Sequence, residues 1–449
     1  MTLGLEIVAV TDEGLGHSAH LIAVDGEVLL IDPFLVVGRY LDTIERNGWR
    51  LRWTADTHLH ADYVSGGPEL SARGATFFAP GEAALEIPHR PLADGDDIDI
   101  AGLTLRALPT PGHTPDHLCF LLLDAGSPLA LFSGGSLMVG TVGRPDLFGP
   151  DHTDELARAM YRSLRDQLLV LPDDLVVHPT HGAGSFCSAP GSEGQSTTIG
   201  QERATNPLLQ VGDEDEFVHR LVSSLGTFPT YYRSLPELNR HQLGTTPQAP
   251  LRQLLVGDVQ QLISAGAEVI DVRDVASYAA AHVPGSLSNA LRPAFASWLG
   301  WLTTRDRPLV FVCHTHTDRA ELVGQCANIG YDNLAGELED GIDAWRAANQ
   351  PVATTRLIEA ASARHPIIDV RQRNEYLDGH IPGAVNIELG VVERAPLESP
   401  DSVTVMCGHG ERAASAASLL ERRGIDTRIA IGGPTDWSDS TGRPLEVAT

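Results

Sequence analysis

Short apolar runs separated by Gly turns dominate the first part of the chain. Runs with the length and composition of strands cover 5–10, 18–24, 27–31, 77–79, 98–108, 118–123, 129–132 and 175–178. Helical periodicity covers 39–47, where Gly48 ends it, and 154–169. The pattern predicts a β-scaffold with helices packed against it, and loops that follow buried strands.

Polar residues interrupt this pattern at 57–67, where two imidazoles and a carboxylate alternate. In an extended segment, residues two apart point the same way, so His58, His60 and Asp62 would converge on one point as metal ligands do. The following Ser-Gly-Gly predicts a turn that opens a helix. We therefore predict a metal site here, and the alternative is a solvated polar loop.

Two more imidazoles lie on tight loops next to predicted strands. His113 lies in Pro-Gly-His-Thr-Pro and His181 in Pro-Thr-His-Gly. Loops that each present one His are how a β-scaffold builds a metal centre from distant segments. We therefore expect His113 and His181 to join the site, with Asp116 and His117 supporting it or packing nearby.

The second half of the chain repeats itself. Asp-Val-Arg at 271–273 leads to His-Val-Pro-Gly at 282–285, and Asp-Val-Arg at 369–371 leads to His-Ile-Pro-Gly at 380–383. The offset is the same for both motifs (369 − 271 = 382 − 284), which indicates two copies of one domain. Each copy alternates strands and helices, so we predict two doubly wound parallel sheets.

A cysteine loop in the second copy joins the strand-like run 403–406 to a helical pattern that ends at Gly424. Its residues are Cys407, Gly408, His409, Gly410, Glu411 and Arg412. A thiolate at a helix N-terminus is stabilised by the dipole and the free N–H groups, and the glycines let those groups turn inward. We predict that Cys407 and Arg412 are catalytic and that 408–411 bind substrate; the alternative for Cys407 is an inert buried thiol.

The corresponding loop of the first copy starts at Cys313, is one residue longer and has no Gly. Asp318 in that loop would repel an anion, so we interpret this copy as degenerate, with a packing or docking role. Cys119 and Cys326 lie in apolar patterns and are expected in the core. Cys187 lies on a loop near His181, where both its exposure and its role stay open.

Composition narrows the functional classes. The 449 residues carry a formal charge of −27 (32 − 59), which disfavours nucleic acid and anionic membranes as partners. No apolar run of about 18 residues is present. Five cysteines without disulfide-like spacing predict a cytoplasmic protein. Prolines in 226–250 indicate a boundary, and we predict domains at 1–235, 236–352 and 353–449.

The order His-x-His-x-Asp, Gly-His-Thr-Pro, Ser-Gly-x-Ser-Leu and Pro-x-His-Gly resembles the metallo-β-lactamase superfamily. Gly-Arg-Pro-Asp-Leu at 143–147 and the segment 197–208 resemble its persulfide dioxygenase branch, over roughly residues 5 to 210. The resemblance implies an αββα sandwich with the site at its edge and one Fe(II) held by two His and one Asp. It also implies that Arg144 contacts a thiol substrate.

Two residues depart from that family. Tyr63 replaces a His and Gly135 replaces the acidic ligand, so ligands of a second metal are missing and a two-metal hydrolase centre is disfavoured. Three outcomes are open. His58, His60 and His113 bind the ion as three imidazoles, which suits zinc at least as well as iron; Asp62 or water replaces the carboxylate; or the site is catalytically dead. Asp32 is expected to support the site without taking part in catalysis.

The repeated domain resembles rhodanese, and the second copy carries that family's motifs most fully. The leading hypothesis is a fusion that oxidises a low-molecular-weight thiol persulfide to sulfite at an Fe(II) site and shuttles sulfane sulfur through Cys407. Its small-molecule partners would be a thiol persulfide, thiosulfate or sulfite, and a homodimer stays open. The alternatives are a sulfurtransferase with an inactive first domain, a zinc thioester hydrolase, and a persulfide sensor.

Overall fold

The computed structural model describes residues 4–189, 194–241, 250–397 and 402–447. Within those ranges the chain forms two compact units. The first unit takes in 4–225, 230–241 and 327–330, and the second takes in 226–229, 250–326 and 331–447. Among the helices of the described ranges, none combines the length and apolar character that a membrane span requires.

The first unit is built on two six-stranded sheets, ordered β1-β2-β3-β4-β5-β6 and β12-β11-β10-β9-β8-β7. The strands are β1 (Leu5–Asp12), β2 (His17–Val24), β3 (Glu27–Ile31), β4 (Arg50–Ala55), β5 (Thr76–Pro80), β6 (Arg90–Leu92), β7 (Asp97–Ile100), β8 (Leu103–Pro109), β9 (Leu118–Asp124), β10 (Ser127–Gly134), β11 (Val176–Pro179) and β12 (Thr197–Thr198). The helices are α1 (Gly38–Arg46), α2 (Gly67–Ala72), α3 (Pro150–Ser163), α4 (Ile199–Thr205), α5 (Glu214–Ser224) and α6 (Leu235–His241).

One apolar core lies between the two sheets and a second lies under the helices. Ile22, Leu29, Leu105 and Phe120 belong to the inner core, because strand residues point alternately to opposite faces. The other face of β9 and β10 packs on α3 and α5, where Phe217 is buried. Both faces of the second sheet are therefore covered, and the predicted αββα sandwich is confirmed.

Local structure differs from the sequence pattern in three places. The predicted strand 98–108 is two strands, β7 and β8, because Ala101 and Gly102 form a turn with φ of 50° and 95°. Residues 57–63 are a bent loop after β4, so the expectation of an extended segment is wrong. Helix α6 lies within the Pro-rich stretch 226–250, for which the sequence pattern predicts only a domain boundary.

The second unit holds two parallel five-stranded sheets, ordered β13-β17-β16-β14-β15 and β18-β22-β21-β19-β20. The strands are β13 (Gln253–Leu254), β14 (Glu268–Asp271), β15 (Leu287–Ser288), β16 (Leu309–Val312), β17 (Leu334–Leu338), β18 (Arg356–Glu359), β19 (Ile367–Asp369), β20 (Val385–Asn386), β21 (Ser402–Met406) and β22 (Asp426–Ile431). The helices are α7 (Val256–Ser264), α8 (Val275–Ala280), α9 (Phe295–Leu302), α10 (Arg319–Asn328), α11 (Gly341–Ala347), α12 (Arg373–Leu377), α13 (Glu411–Arg422) and α14 (Pro434–Thr441). The two predicted doubly wound domains are confirmed.

The repeat extends to individual hydrogen bonds. Arg273 pairs with Asp271 through two nitrogens, at 2.8 and 2.6 Å, and Arg371 pairs with Asp369 in the same way. In both copies the repeated His stacks on the Tyr four residues before it, with ring centres 3.9 Å apart in the first and 3.7 Å in the second. The copies thus share a scaffold and differ in their cysteine loops.

The two copies pack closely within the second unit. The Ser415 hydroxyl of α13 donates to the carbonyl oxygen of Ser288 in β15 at 2.6 Å. A Cβ added at Gly390 would lie 1.9 Å from the Trp301 ring, so only glycine permits this contact. The first copy therefore contacts the helix that follows the Cys407 loop, and its packing or docking role stays a prediction.

Candidate metal centre and sulfur-transfer loop

Three loops of the first unit bring four imidazoles together. His58 and His60 lie on the loop after β4, His113 on the loop between β8 and β9, and His181 just after β11. The ring centre of His58 lies 4.1, 4.9 and 5.5 Å from those of His60, His113 and His181. The Asp62 carboxylate lies 3.4 Å from His181 Nδ1. All five side chains predicted at this site therefore meet in one place.

A buried relay through Thr57 fixes the tautomer of His58. The Thr57 hydroxyl donates to Asp32 Oδ2 at 2.8 Å, so it accepts the hydrogen of His58 Nδ1, also at 2.8 Å. Asp32 also accepts the backbone N–H of Thr57 at 2.7 Å. Nε2 of His58 is left with its lone pair and no partner.

Asp32 orients His60 as well. Its Oδ1 lies 3.1 Å from His60 Nε2, and the Tyr63 hydroxyl lies 2.9 Å from the same nitrogen. Nδ1 of His60 has no hydrogen-bond partner. Tyr63, which stands where the family has a ligand, therefore holds a neighbouring imidazole in place, and Asp32 has the supporting position expected from sequence.

His113 is held between a carbonyl oxygen and two glycines. Its Nδ1 donates to the Arg144 carbonyl oxygen at 2.9 Å, which leaves Nε2 without a partner. A Cβ added at Gly135 would lie 2.2 Å from His113 Cδ2, and a Cβ added at Gly143 would lie 2.9 Å from its Nδ1. The imidazole therefore fills the space that a side chain at position 135 would need.

The unpartnered atoms of this cluster fit a cation. Buried polar atoms normally find partners, yet within the described ranges no hydrogen-bond partner is present for His58 Nε2, His60 Nδ1, His113 Nε2, both ring nitrogens of His181 and both carboxylate oxygens of Asp62. One ligand atom each from His58, His60 and His181 lies within 4.8 Å of the others. Imidazoles whose other nitrogen is already hydrogen-bonded are typical metal ligands, so the residues present fit an ion.

Burial and nearby carboxylates set the protonation of the cluster. Burial lowers the pKa of His58 and His181 well below the usual value and that of His113 to about 4, so these rings are neutral at pH 7. Burial opposes charge on His60 too, but Asp32 and other carboxylates raise its pKa to about 9. Burial raises the pKa of Asp62 to about 6. An ion would therefore displace a proton from His60 and find lone pairs on the other three rings.

The cluster is closed to solvent. His58, His60, Asp62, His113 and His181 are each at most 1% exposed. A cavity of about 10 Å³ lined partly by His58 and His60 has room for no more than one water molecule. The side chains that would hold an ion are therefore shielded from bulk solvent.

Two further residues near the cluster are Cys187 and Arg144. The exposure of Cys187, left open by the sequence, is 0%, and its sulfur lies within 4.8 Å of ligand atoms of His113 and His181. No local pattern in the sequence indicates this burial, because packing against distant segments creates it. The Arg144 guanidinium pairs with Asp146 at 2.7 Å and donates to the Phe186 carbonyl oxygen at 3.0 Å. Its predicted contact with a thiol substrate stays a prediction.

The Cys407 loop lies between β21 and the first turn of α13. The Gly410 N–H donates to Cys407 Sγ at 3.1 Å, and Gly410 has a φ of 125° that favours glycine. Gly408 does not adopt such a conformation, so of the two glycines only Gly410 is needed for the turn. Cys407 is 1% exposed, whereas His409 is exposed at the mouth of the loop.

Arg412 is anchored at the start of α13. Its guanidinium makes two hydrogen bonds to the Glu375 carboxylate, at 2.6 and 2.7 Å, and stacks 5.4 Å from the ring centre of Trp298. Burial acts to raise the pKa of Glu375, but the bonds to Arg412 hold it below its usual value. The cation predicted beside Cys407 is therefore fixed by one residue from each copy.

The first copy also contributes a cation that the sequence pattern did not identify. A cavity of about 700 Å³ in the second unit is lined by Asp274, Arg292 and His314 of the first copy and by His409 and Glu411 of the second. Arg292 lies close enough to interact with the charge of Cys407. Cys313 of the first copy is buried, and burial and Glu337 raise the pKa of its thiol, as expected for an inert position.

Comparisons with known proteins follow the division of the chain. The rhodanese-like domain family matches residues 255–348 and 353–440. A hydroxyacylglutathione hydrolase from Rhizobium meliloti is 33% identical over 38% of this chain and 74% of its own length. The human mitochondrial persulfide dioxygenase ETHE1 is 30% identical over 43% of this chain and 70% of its own length. A metallo-β-lactamase structure from Staphylococcus aureus has a TM-score of 0.66 and 26% identity, covering 74% of this chain and 98% of that one.

The αββα sandwich with imidazole-bearing loops defines the class of the first unit, and the paired parallel sheets define that of the second. The chain belongs to the metallo-β-lactamase superfamily, with a persulfide dioxygenase among its relatives and two rhodanese-like domains fused to its metallo-β-lactamase-like part. Both predicted resemblances are confirmed.

Proposed function

We propose that this protein processes small sulfane-sulfur compounds, shuttling sulfur through Cys407 and oxidising a low-molecular-weight thiol persulfide to sulfite at the imidazole cluster. The observation that carries the proposal is the Cys407 loop, where the Gly410 N–H, the start of α13 and the anchored Arg412 surround one sulfur atom. These groups stabilise a thiolate and, after transfer, the terminal sulfur of a persulfide.

Sulfur transfer needs only groups of this loop and a donor such as thiosulfate. The Cys407 thiolate attacks the outer sulfur, a new S–S bond forms, and the old S–S bond breaks with its electron pair leaving on sulfite. An acceptor thiolate or cyanide then attacks the terminal sulfur and Cys407 leaves as thiolate. Arg412 stabilises the anions in both steps, and Arg292 adds positive charge on the side of the first copy.

The oxidation consumes one O2 and one water for each persulfide and yields a thiol, sulfite and two protons. His58, His60, His113 and His181 would hold the ion, for which we propose Fe(II) with zinc as the alternative. When bound, iron supplies a redox centre at which O2 and the persulfide react. The loops that carry these imidazoles exclude bulk water. Asp32 orients His60 directly and His58 through Thr57, and the Arg144 carbonyl oxygen orients His113.

Two assays test the two halves on full-length protein. Thiosulfate:cyanide transfer is expected to vanish in Cys407→Ser, because serine cannot carry the sulfur, while Cys313→Ser, the matched change in the first copy, retains it. Iron-loaded protein is expected to consume O2 with a thiol persulfide faster than the same amount of free iron. Uptake equal to free iron would remove the oxidation half alone.

A second candidate is a sulfurtransferase whose metal centre does not turn over. Gly135 and the burial of the cluster favour it, because position 135 offers no carboxylate and the imidazoles are at most 1% exposed. The zinc thioester hydrolase alternative is supported by the relative from Rhizobium meliloti and opposed by Tyr63 and Gly135. Two zinc ions per chain would favour it.

A further inference from the structure

Cys187 lies inside the imidazole cluster of the first unit. Its sulfur, a ligand nitrogen of His113 and a ligand nitrogen of His181 lie within 4.8 Å of one another. All three side chains are 0% exposed. Sulfur and imidazole nitrogen form a donor set that zinc, cobalt and iron accept.

The surroundings of this thiol differ from those of a packing cysteine. The Cys187 thiol interacts with the Asp62 carboxylate and the Tyr232 hydroxyl. Among the described residues, His113 Nε2 and both ring nitrogens of His181 have no hydrogen-bond partner. Cys119, also 0% exposed, shows the contrast within the same unit. Its sulfur is hydrogen-bonded by the Thr110 hydroxyl at 3.1 Å and lies 3.5 Å from the Ser133 carbonyl oxygen.

One backbone segment fixes the thiol and an imidazole together. The Arg144 N–H donates to the Cys187 carbonyl oxygen at 3.0 Å, and the Arg144 carbonyl oxygen accepts from His113 Nδ1 at 2.9 Å. The Ser185 hydroxyl accepts the Cys187 N–H at 3.1 Å. The Cys187 backbone and the His113 imidazole are therefore both held by the backbone of Arg144, without any ion.

We propose that Cys187, as a thiolate, ligates the metal ion of this centre together with His113 and His181. It would supply the negative ligand that Gly135 cannot, from a segment that the family resemblance does not assign to the site. The inference rests on the proposed metal-binding function of the cluster and names one more ligand for it.

Binding at this position exchanges one bond for another. The S–H bond of Cys187 breaks, a metal–sulfur bond forms, and the proton leaves to solvent, with no change in oxidation state. Each chain should thus release about one proton more on binding than a chain without this thiol, because a coordinating thiol is deprotonated outright.

Cobalt(II) is the probe, because a thiolate ligand gives it a charge-transfer absorption in the near ultraviolet that imidazoles do not. Full-length protein carrying Cys407→Ser is produced in cobalt-supplemented medium, so the transfer-loop thiol cannot contribute. Cys187→Ser and, as the matched buried thiol, Cys119→Ser are compared in that background. Cobalt content is measured by mass spectrometry and the fold by circular dichroism.

We expect charge-transfer absorption in the parent and in Cys119→Ser, and its loss in Cys187→Ser together with a lower cobalt content. Cobalt bound without this absorption in the parent, or absorption that persists in Cys187→Ser, would overturn the proposal and leave the imidazole site standing. A parent that binds no cobalt would overturn the metal centre and the oxidation half with it. The parent spectrum decides even if Cys187→Ser does not fold.

Discussion

At the residue scale, Gly135 and His113 constrain each other, because a side chain at position 135 would need the space that the imidazole fills. His113 occupies the space in front of Gly135, and the Arg144 carbonyl oxygen holds it there. An acid at 135 and His113 in its present position cannot coexist. The missing carboxylate is thus part of a rearranged site and is not an isolated loss.

Gly135→Asp is therefore expected to lower metal content, although it restores the acid that the family resemblance implies. The new Cβ would lie 2.2 Å from His113 and force that ring to move, at a cost of about 1–3 kcal/mol. Metal analysis and thermal unfolding measure the two effects. Gly135→Ala, which has the Cβ without the carboxylate, should show the same losses. An aspartate variant with more iron and faster O2 uptake than the parent would contradict this steric account.

The sequence could identify the imidazoles but not the thiol among them. His58, His60, His113 and His181 stand in short motifs whose spacing and turn residues are visible in the chain. Nothing local distinguishes Cys187 from a loop cysteine, because its burial depends on Arg144 and on Tyr232 from a distant segment. Burial that depends on distant segments produces no periodic pattern in the local sequence.

At the element scale, the start of α13 is organised by its neighbours. Arg412 extends to Glu375 in α12 and to Trp298 in α9, and Ser415 bonds to β15. A short helix amid such contacts keeps its first turn fixed, and the Cys407 sulfur lies at that turn.

Glu375→Gln is expected to slow sulfur transfer by roughly tenfold in kcat/KM, since a charged hydrogen-bonded pair becomes a weaker one and Arg412 is less constrained. Glu359→Gln, an exposed position of the same copy, is the matched control. Faster sulfur transfer in Glu375→Gln would contradict this prediction, because it would show that the carboxylate slows transfer by restraining Arg412.

The same pair predicts a pH effect on stability. Because the pKa of Glu375 is lowered in the folded protein, its contribution is complete above the unfolded value of about 4.3 and disappears as the pH falls through the folded value. Chemical unfolding across that acidic range should show that the free energy of unfolding falls less in Glu375→Gln than in the parent as the pH is lowered. If the free energy of unfolding falls equally in both proteins, the Glu375–Arg412 pair contributes nothing to stability.

Strands were predicted well where apolar residues were continuous and poorly where charges intervened. β3 spans the predicted residues because Glu27–Ile31 is an unbroken buried run after its first residue. β4 was missed because Arg50 and Arg52 interrupt its pattern at the more exposed end of the strand. β7 and β8 were merged because the apolar Ala101 hides the turn between them.

At the scale of the whole molecule, two units with separate cores share one chain. The imidazole cluster belongs to the first unit, and Cys407, with every residue described around it, belongs to the second. Linking the two raises the effective concentration of a shared sulfur intermediate without any new contact. The chemistry of each unit should nevertheless be separable.

Protein produced in metal-depleted medium is therefore expected to keep full thiosulfate:cyanide transfer while losing persulfide-dependent O2 uptake. Rates of both reactions, measured on the same preparation with and without iron, test this. The Cys407→Ser chain should show the reverse pattern. Transfer that falls without metal and returns with it would show coupling between the units.

The closure of the imidazole cluster has a consequence for how the protein acquires its ion. Side chains at most 1% exposed exchange a bound ion only when the surrounding loops open, so loading after folding is slow. The ion found in purified protein then records which cations were available while the chain was folding. Growth conditions, more than equilibrium selectivity, would decide whether a given preparation contains iron or zinc.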